Sequence, residues 1–440
     1  MVIVTVGFCC VLAGRPGCGF DSTWGLVWAG DVLHAARAVH PSGVFVPTPH
    51  PASVGLGMLA RILSWRDHTP LLWAAGVEAS LVGLLAGIVR LGRQLGGNLL
   101  VGCLACVGVA TLPVTAVAVD SGTIDVFFAA CCVWAVCLAA AHPRAALTVA
   151  AVGTLARPEG LLLGIVVAAS RWGSLSRRAR AFTVVAAVVV VCSWVGVGVL
   201  LFGDPLAAAH VTANNASVLR DNPTLAGYLR QAAGAADVLI AVFAAATLVA
   251  IARPLLRATS RLAVTSIVVL LLGVTASVIG GAPFTPRYML AEIAIAAPLA
   301  VATLWRAYDG ASRTAAARIV GAGVVAVVCA VDFSPLLHAR AIVSNQQRAA
   351  AAIAPLIRLA NRQCTVLNTP GGPLLPVIAL TYAHRLTVNA APDHSACALI
   401  PASSVVGQAN GFGPDPSGQP SMAVTGRPVD AAGGWVLYAP

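Results

Sequence analysis

The sequence predicts an all-α polytopic membrane protein, followed by a small α/β domain on the outer side of the membrane. Three observations predict it. Of 440 residues, 58% are hydrophobic and 10% charged, against roughly 25% charged in a soluble domain. Eleven apolar runs fall near 1–13, 71–89, 98–117, 124–141, 145–156, 160–170, 182–202, 238–252, 262–279, 288–304 and 319–331, and they read as membrane segments. Third, the charge is sorted between alternate loops. All 27 basic residues are Arg. One set of loops carries thirteen of them, from Arg90 and Arg93 through Arg171, Arg177 and Arg178 to Arg306 and Arg318, against the single acid Asp309. The other set carries eight Arg and nine acids. The arginine-rich loops face the cytoplasm, so the N-terminus is cytoplasmic and the tail lies outside. The net charge of +11 is then a topology signal. Nucleic acid is excluded as a partner, because no outward segment combines dense Arg with interleaved aromatics.

The elements follow in order. Met1–Ala13 is short for a span, and a cleaved signal peptide is the weaker alternative because no basic region precedes Val2–Leu12. The loop 14–69 follows. Within it Thr23–Val39 carries Leu26, Val27, Val32, Leu33 and Ala36 at helical spacing and is expected to lie along the membrane surface. After Pro47, Pro49 and Pro51, a second interfacial helix is expected over Ala52–Trp65. Arg144 and Arg171 both belong to the cytoplasmic set. Residues 145–170 must therefore leave that face and return as two short helices meeting at Arg157-Pro158-Glu159-Gly160, with the two charges directed into a protein-lined cavity. Polar loops are expected over 203–236 and 280–286.

Residues 1–331 form the expected transmembrane domain and 332–440 the outer α/β domain. The outer part reads as a helix near Ala339–Asn361, an apolar run Cys364–Leu367, a helix near Leu374–His384, and short strands at Leu386–Val388, Ala398–Ile400 and Trp435–Tyr438. The Gly/Pro/Ser-rich stretch Gly407–Gly434 reads as loop. Ten of the twelve Cys lie in or beside membrane segments, where Cys behaves as a small apolar residue. Cys364 and Cys397 lie in the outer tail, where an oxidising compartment permits a disulfide between them.

Polar residues on the outward side cluster near the membrane surface, where a charged lipid head group meets protein. They include Asp21, His50, Asp120, Asp125, Arg157, Glu159, Arg287 and Tyr288, with Glu292 on the same helix as Arg287. Carboxylates there suit a general base, and guanidinium groups grip phosphate in bidentate fashion. His34 and His40 lie six residues apart, too far in angle on a helix to share a zinc ion with Asp31. No Walker-type loop, zinc-protease motif or nucleophile elbow is present.

Taken in order, these motifs resemble those of the C-type (GT-C) glycosyltransferases, integral membrane enzymes that use polyprenyl-phosphate sugars. The matching stretches are Arg15-Pro16 through Gly19-Phe20-Asp21, His50-Pro51 between the interfacial stretches, Asp120-Ser-Gly-Thr-Ile-Asp125, Leu155-Ala-Arg157-Pro158-Glu159-Gly160 and Pro286-Arg287-Tyr288. The resemblance covers most of residues 1–331, and the chain is similar to the protein mannosyltransferase and aminoarabinose transferase types. It implies an inverting transfer of a monosaccharide, such as mannose or arabinose, from a polyprenyl-phosphate donor. The acceptor would be a cell-envelope glycan, glycolipid or protein at the plasma membrane of a bacterium.

On this resemblance Asp21 is the base. Arg157, Arg287, Tyr288 and His50 bind the donor phosphate, while Asp125, Asp120, Glu159 and Glu292 line the site or meet the acceptor. Ser22 stands where the family often has a second acid, which leaves a divalent metal requirement open; the sequence itself requires no cofactor. The residues alone also allow a helix cap at Asp21 or Asp125, and an internal ion pair of Arg157 with Glu159 or Asp125. A secondary transporter and a non-catalytic glycolipid-binding relative are the alternatives at the level of the whole chain.

Overall fold

The computed structural model describes residues 1–14, 16, 20–34, 47–64, 69–96, 98–218, 258–279, 286–311, 334–369, 377–378, 385–388, 397–401, 427–432 and 435–439. The expected segments 238–252 and 319–331 lie outside these residues, as do Arg15, Gly19, Arg37 and His40. The helices are α1 (Val2–Ala13), α2 (Phe20–Leu33), α3 (Pro51–Leu63), α4 (Thr69–Gly96), α5 (Leu99–Ala110), α6 (Pro113–Asp120), α7 (Asp125–Leu138), α8 (Pro143–Ala156), α9 (Gly160–Arg171), α10 (Arg177–Phe202), α11 (Ala207–Val218), α12 (Ala258–Ile279), α13 (Leu290–Ala311) and α14 (Ser334–Gln363).

Among the described residues, α4, α10, α12 and the run Arg287–Arg306 are long and apolar enough to cross a membrane, and the bent pair α5–α6 is a fifth candidate. The chain is an integral membrane protein. Two expectations change. The run 98–117 is broken by 68° between α5 and α6, because Pro113 holds Leu112 in extended backbone and so ends the helical path. Within the expected loop 203–236, residues 207–218 form α11.

The core forms around α4. Its Leu81, Leu84, Leu85 and Ile88 repeat at helical spacing and are fully buried against α5, α7 and α13. Small residues set the crossings. A Cβ on Gly102 would fall 2.3 Å from the carbonyl oxygen of Val89, so α4 and α5 touch backbone to backbone. Gly102→Ala is therefore expected to cost about 1–3 kcal/mol and to lower the melting temperature in detergent. Gly76→Ala, whose Cβ meets nothing within 4 Å, should leave it nearly unchanged.

The bundle has two unlike ends. At one, Arg90 lies over the Trp134 ring and Arg180 over Trp172. There also Arg306 donates to the Leu95 carbonyl, and Arg144 donates to Ser176 Oγ at 2.8 Å. At the other end lie the start of α3 with His50 before it, the starts of α2, α7 and α13 with Asp21, Asp125 and Glu292, and the α8–α9 turn with Glu159.

After α14 comes a five-stranded sheet of order β2-β1-β3-β5-β4, from β1 (Val366–Thr369), β2 (Arg385–Val388), β3 (Cys397–Pro401), β4 (Arg427–Ala432) and β5 (Trp435–Ala439). Strand β1 pairs in parallel with β2 and β3, and β5 pairs antiparallel with β3 and β4. Ile353, Leu356, Ile357 and Ala360 of α14 pack on Leu367, Leu399, Trp435 and Leu437. A disulfide joins Cys364 to Cys397. Strand β4 corrects the reading of 407–434 as loop. Its residues 428–431 are exposed, so the apolar alternation that betrays a half-buried strand is missing, and backbone pairing with β5 forms it. Of the expected helix 374–384, residues 377–378 are described and helical.

Candidate active site

Each polar residue at the acid-bearing end is placed by a local feature of the chain. Asp21 occupies the first turn of α2. The start of that helix is tied down by Ser22 Oγ, which donates to the Ser121 carbonyl at 3.0 Å. In the stretch 120–125, Gly122 adopts φ +61°, a left-handed conformation that favours glycine. The turn sends the chain into α7 with Asp125 at its first residue, and Trp73 Nε1 donates to the Gly122 carbonyl at 2.9 Å.

Arg157 ends α8 in extended backbone, and Gly160 N–H donates to the Arg157 carbonyl at 3.0 Å, closing the turn to α9. A Cβ at Gly160 would lie 2.8 Å from the Thr154 nitrogen, so the tight hairpin requires glycine there. Arg287 and Tyr288 sit in a 3-10 turn, Pro286–Met289, that leads into α13. His50 precedes α3, with Pro51 at the first helical position.

These residues line one cavity of about 400 Å³, shared by Asp21, His50, Asp125, Arg157, Glu159, Arg287 and Tyr288. Ion pairs connect them. Arg157 Nη1 lies 3.1 Å from Asp125 Oδ1, and its Nη2 and Nε lie 3.1 and 3.4 Å from the two oxygens of Glu159. Its guanidinium carbon is 4.1 Å from the centre of the Tyr288 ring. Arg287 Nη2 pairs with Asp21 Oδ2. Its Nε lies 3.3 Å from Asp125 Oδ2, within ion-pair range but off the line of a hydrogen bond. Asp125 is thus shared by both arginines. Ser277 Oγ donates to Glu159 Oε1 at 3.4 Å.

His50 presents its ring edge-on to Trp194, with centroids 5.5 Å apart, and its Nδ1 is buried without a hydrogen-bond partner among the described residues. Burial, reinforced by the Arg157 charge, pushes the imidazole pKa down to about 4. The ring is therefore neutral at neutral pH and can give or take one hydrogen bond per nitrogen. The unfolded chain binds a proton near pH 6.5 and the folded chain only near 4, so the folded state loses stability as pH falls through that interval. From pH 7.5 to 5 the loss should be about 2 kcal/mol. His50→Gln should abolish that part of the acid-induced fall in melting temperature; an equal fall in the variant would contradict it.

Two residues expected in the site lie outside the cavity. The Asp120 carboxylate abuts Gly14 at the end of α1. Glu292 is buried one turn further along α13, its Oε2 without a hydrogen-bond partner among the described residues. The cavity also takes walls that motif reading missed, namely Trp28, Trp73, Trp194 and Ser277, with Thr48 and Thr212 bridged by their hydroxyls at 3.2 Å. Trp194 and Ser277 lie in long apolar runs, where nothing in the sequence marks them. Among the described residues no group of three His, Cys, Asp or Glu is placed to hold a metal ion.

No protein-family model matches the chain, and no curated protein does. Among solved structures, the crystal structure of ArnT from Cupriavidus metallidurans in the apo state matches with a TM-score of 0.55. The match covers 99% of this chain and 97% of that one, at 13% identity. The chain therefore has the fold of ArnT along nearly its whole length.

Proposed function

We propose, from this shared fold and the polar cavity within it, that the chain is an inverting membrane glycosyltransferase using a polyprenyl-phosphate monosaccharide. One observation carries the reading. Asp21 and Arg287, 266 positions apart, meet as an acid and a guanidinium in a single hollow at the arginine-poor end of the bundle. A base beside an anion-holding cation is what displacement of a sugar from a phosphate needs.

In the proposed reaction Asp21 takes the proton of an acceptor hydroxyl. The hydroxyl oxygen attacks the anomeric carbon on the face opposite the phosphate. The bond from that carbon to the phosphate oxygen breaks, with its electron pair leaving on polyprenyl phosphate, and the new glycosidic bond has inverted configuration.

We assign the donor phosphate to Arg287. All three nitrogens of Arg157 are engaged by Asp125 and Glu159, and its side chain is 7% exposed against 18% for Arg287. Arg157 then acts as a fixed positive support. Neutral His50 supplies a hydrogen bond to the phosphate or sugar, and Tyr288 holds Arg157 flat. The cavity is read as facing outward from a bacterial plasma membrane, because the arginine-rich end is the one that the positive-inside rule keeps in the cytoplasm. The acceptor is an envelope glycan, glycolipid or protein arriving beside the sheet.

The test is transfer by the purified chain in lipid nanodiscs, using radiolabelled polyprenyl-phosphate mannose and arabinose with membrane-extracted acceptors. The expected result is release of polyprenyl phosphate with label in the acceptor fraction. Binding of the lipid without turnover of either sugar on any acceptor would favour a non-catalytic glycolipid-binding protein.

A further inference from the structure

The resting site is occupied by its own charges. Three carboxylates and two guanidinium groups line the cavity, and both guanidinium groups are already paired. A phosphate that grips Arg287 in bidentate fashion across Nη1 and Nη2 must displace Asp21 from Nη2. The two arginines differ in what they leave open to it. Every nitrogen of Arg157 is engaged, and its guanidinium lies on the Tyr288 ring. Arg287 uses two different nitrogens, Nη2 toward Asp21 and Nε toward Asp125, and leaves Nη1 outside both pairs. The Asp21 pair is also the more open, with 25% of the Asp21 side chain exposed against 7% for Asp125.

We infer that the Arg287–Asp21 ion pair is a latch released by the donor: the phosphate takes Nη1 and Nη2 of Arg287 while Asp125 keeps hold of Nε, and Asp21 is uncovered as a base only once the donor is seated. The inference rests on the transferase reading and adds an order to it. In the resting protein Oδ2 of Asp21 is engaged by the Arg287 cation. Neither water nor acceptor is activated before the lipid-linked sugar is in place, and binding is donor first.

A latch lowers apparent donor affinity by the fraction of time it stays shut. The experiment measures binding of farnesyl phosphate, a short polyprenyl monophosphate without sugar, to the full chain in nanodiscs. Asp21→Asn should bind it roughly tenfold more tightly than the wild type, a gain of about 1.4 kcal/mol, although its transfer is slowed roughly 10³-fold. Arg287→Gln should lose binding. Asp125→Asn separates the latch from simple loss of negative charge, since removing either carboxylate lightens the site by one charge, but only Asp21 competes at the exchanging edge.

Tightening confined to Asp21→Asn supports the latch. Equal tightening in both variants, or none in a folded Asp21→Asn protein, overturns it while leaving the transferase reading intact. If Asp21→Asn does not reach the membrane, Asp21→Ser is measured in its place with the same expectation. Failure of the wild type itself to bind farnesyl phosphate would sink the transferase reading and the latch together.

Discussion

Asp21→Asn should lower the transfer rate by roughly 10³-fold, the range that general bases contribute. The amide matches the carboxylate in size and still accepts a hydrogen bond from Arg287, so the ion-pair partner keeps a place to dock and the fold is undisturbed. What is lost is the ability to take the acceptor proton. The effect should fall on kcat, with the amount of protein in the membrane and its melting temperature unchanged. Transfer within a few-fold of wild type would remove Asp21 from the chemistry and return it to the role of a helix-start residue.

The second large effect concerns stability. Arg157 is buried between Asp125 and Glu159, on the Tyr288 ring and at the tip of the α8–α9 hairpin. Arg157→Leu would leave Glu159 without its cation, and removing one member of a buried pair costs about 3–5 kcal/mol. The variant should be depleted from the membrane or melt far below wild type. The double change Arg157→Leu with Glu159→Leu removes both charges, and Asp125 keeps Arg287 as its partner. Its melting temperature should recover most of the loss, while transfer stays absent. A single variant as stable as wild type would contradict the view of Arg157 as the support of the site.

Much of this architecture is written in local pattern. The apolar run 71–89 marks α4 as a membrane segment in the chain itself, and the placing of Arg144 and Arg171 on one face requires the α8–α9 hairpin. The helices α2 and α3 were legible from their apolar spacing, although α2 ends at Leu33, earlier than the spacing through Ala36 suggests. What local pattern does not carry is direction. Asp120 and Asp125 sit at the two ends of one motif, and only the left-handed turn at Gly122 sends Asp125 into the cavity and leaves Asp120 against α1. The bend at Pro113 was hidden because the apolar run continues across it, while proline acts on the backbone of its neighbour. The same holds for β4, whose exposed side chains report nothing of its pairing. The order and type of the polar residues were readable from the chain; which arginine has nitrogens to spare for a ligand depends on pairings between distant elements.

The central claim is that one cavity at the arginine-poor end holds the donor. A structure of the full chain with a non-transferable polyprenyl-phosphate sugar analogue tests it most directly. The phosphate should sit on Nη1 and Nη2 of Arg287, with the anomeric carbon facing Asp21 and the Asp21–Arg287 pair opened. A phosphate bound instead among Arg90, Arg144 and Arg306 at the opposite end, with the Asp21 cavity empty, would contradict the account.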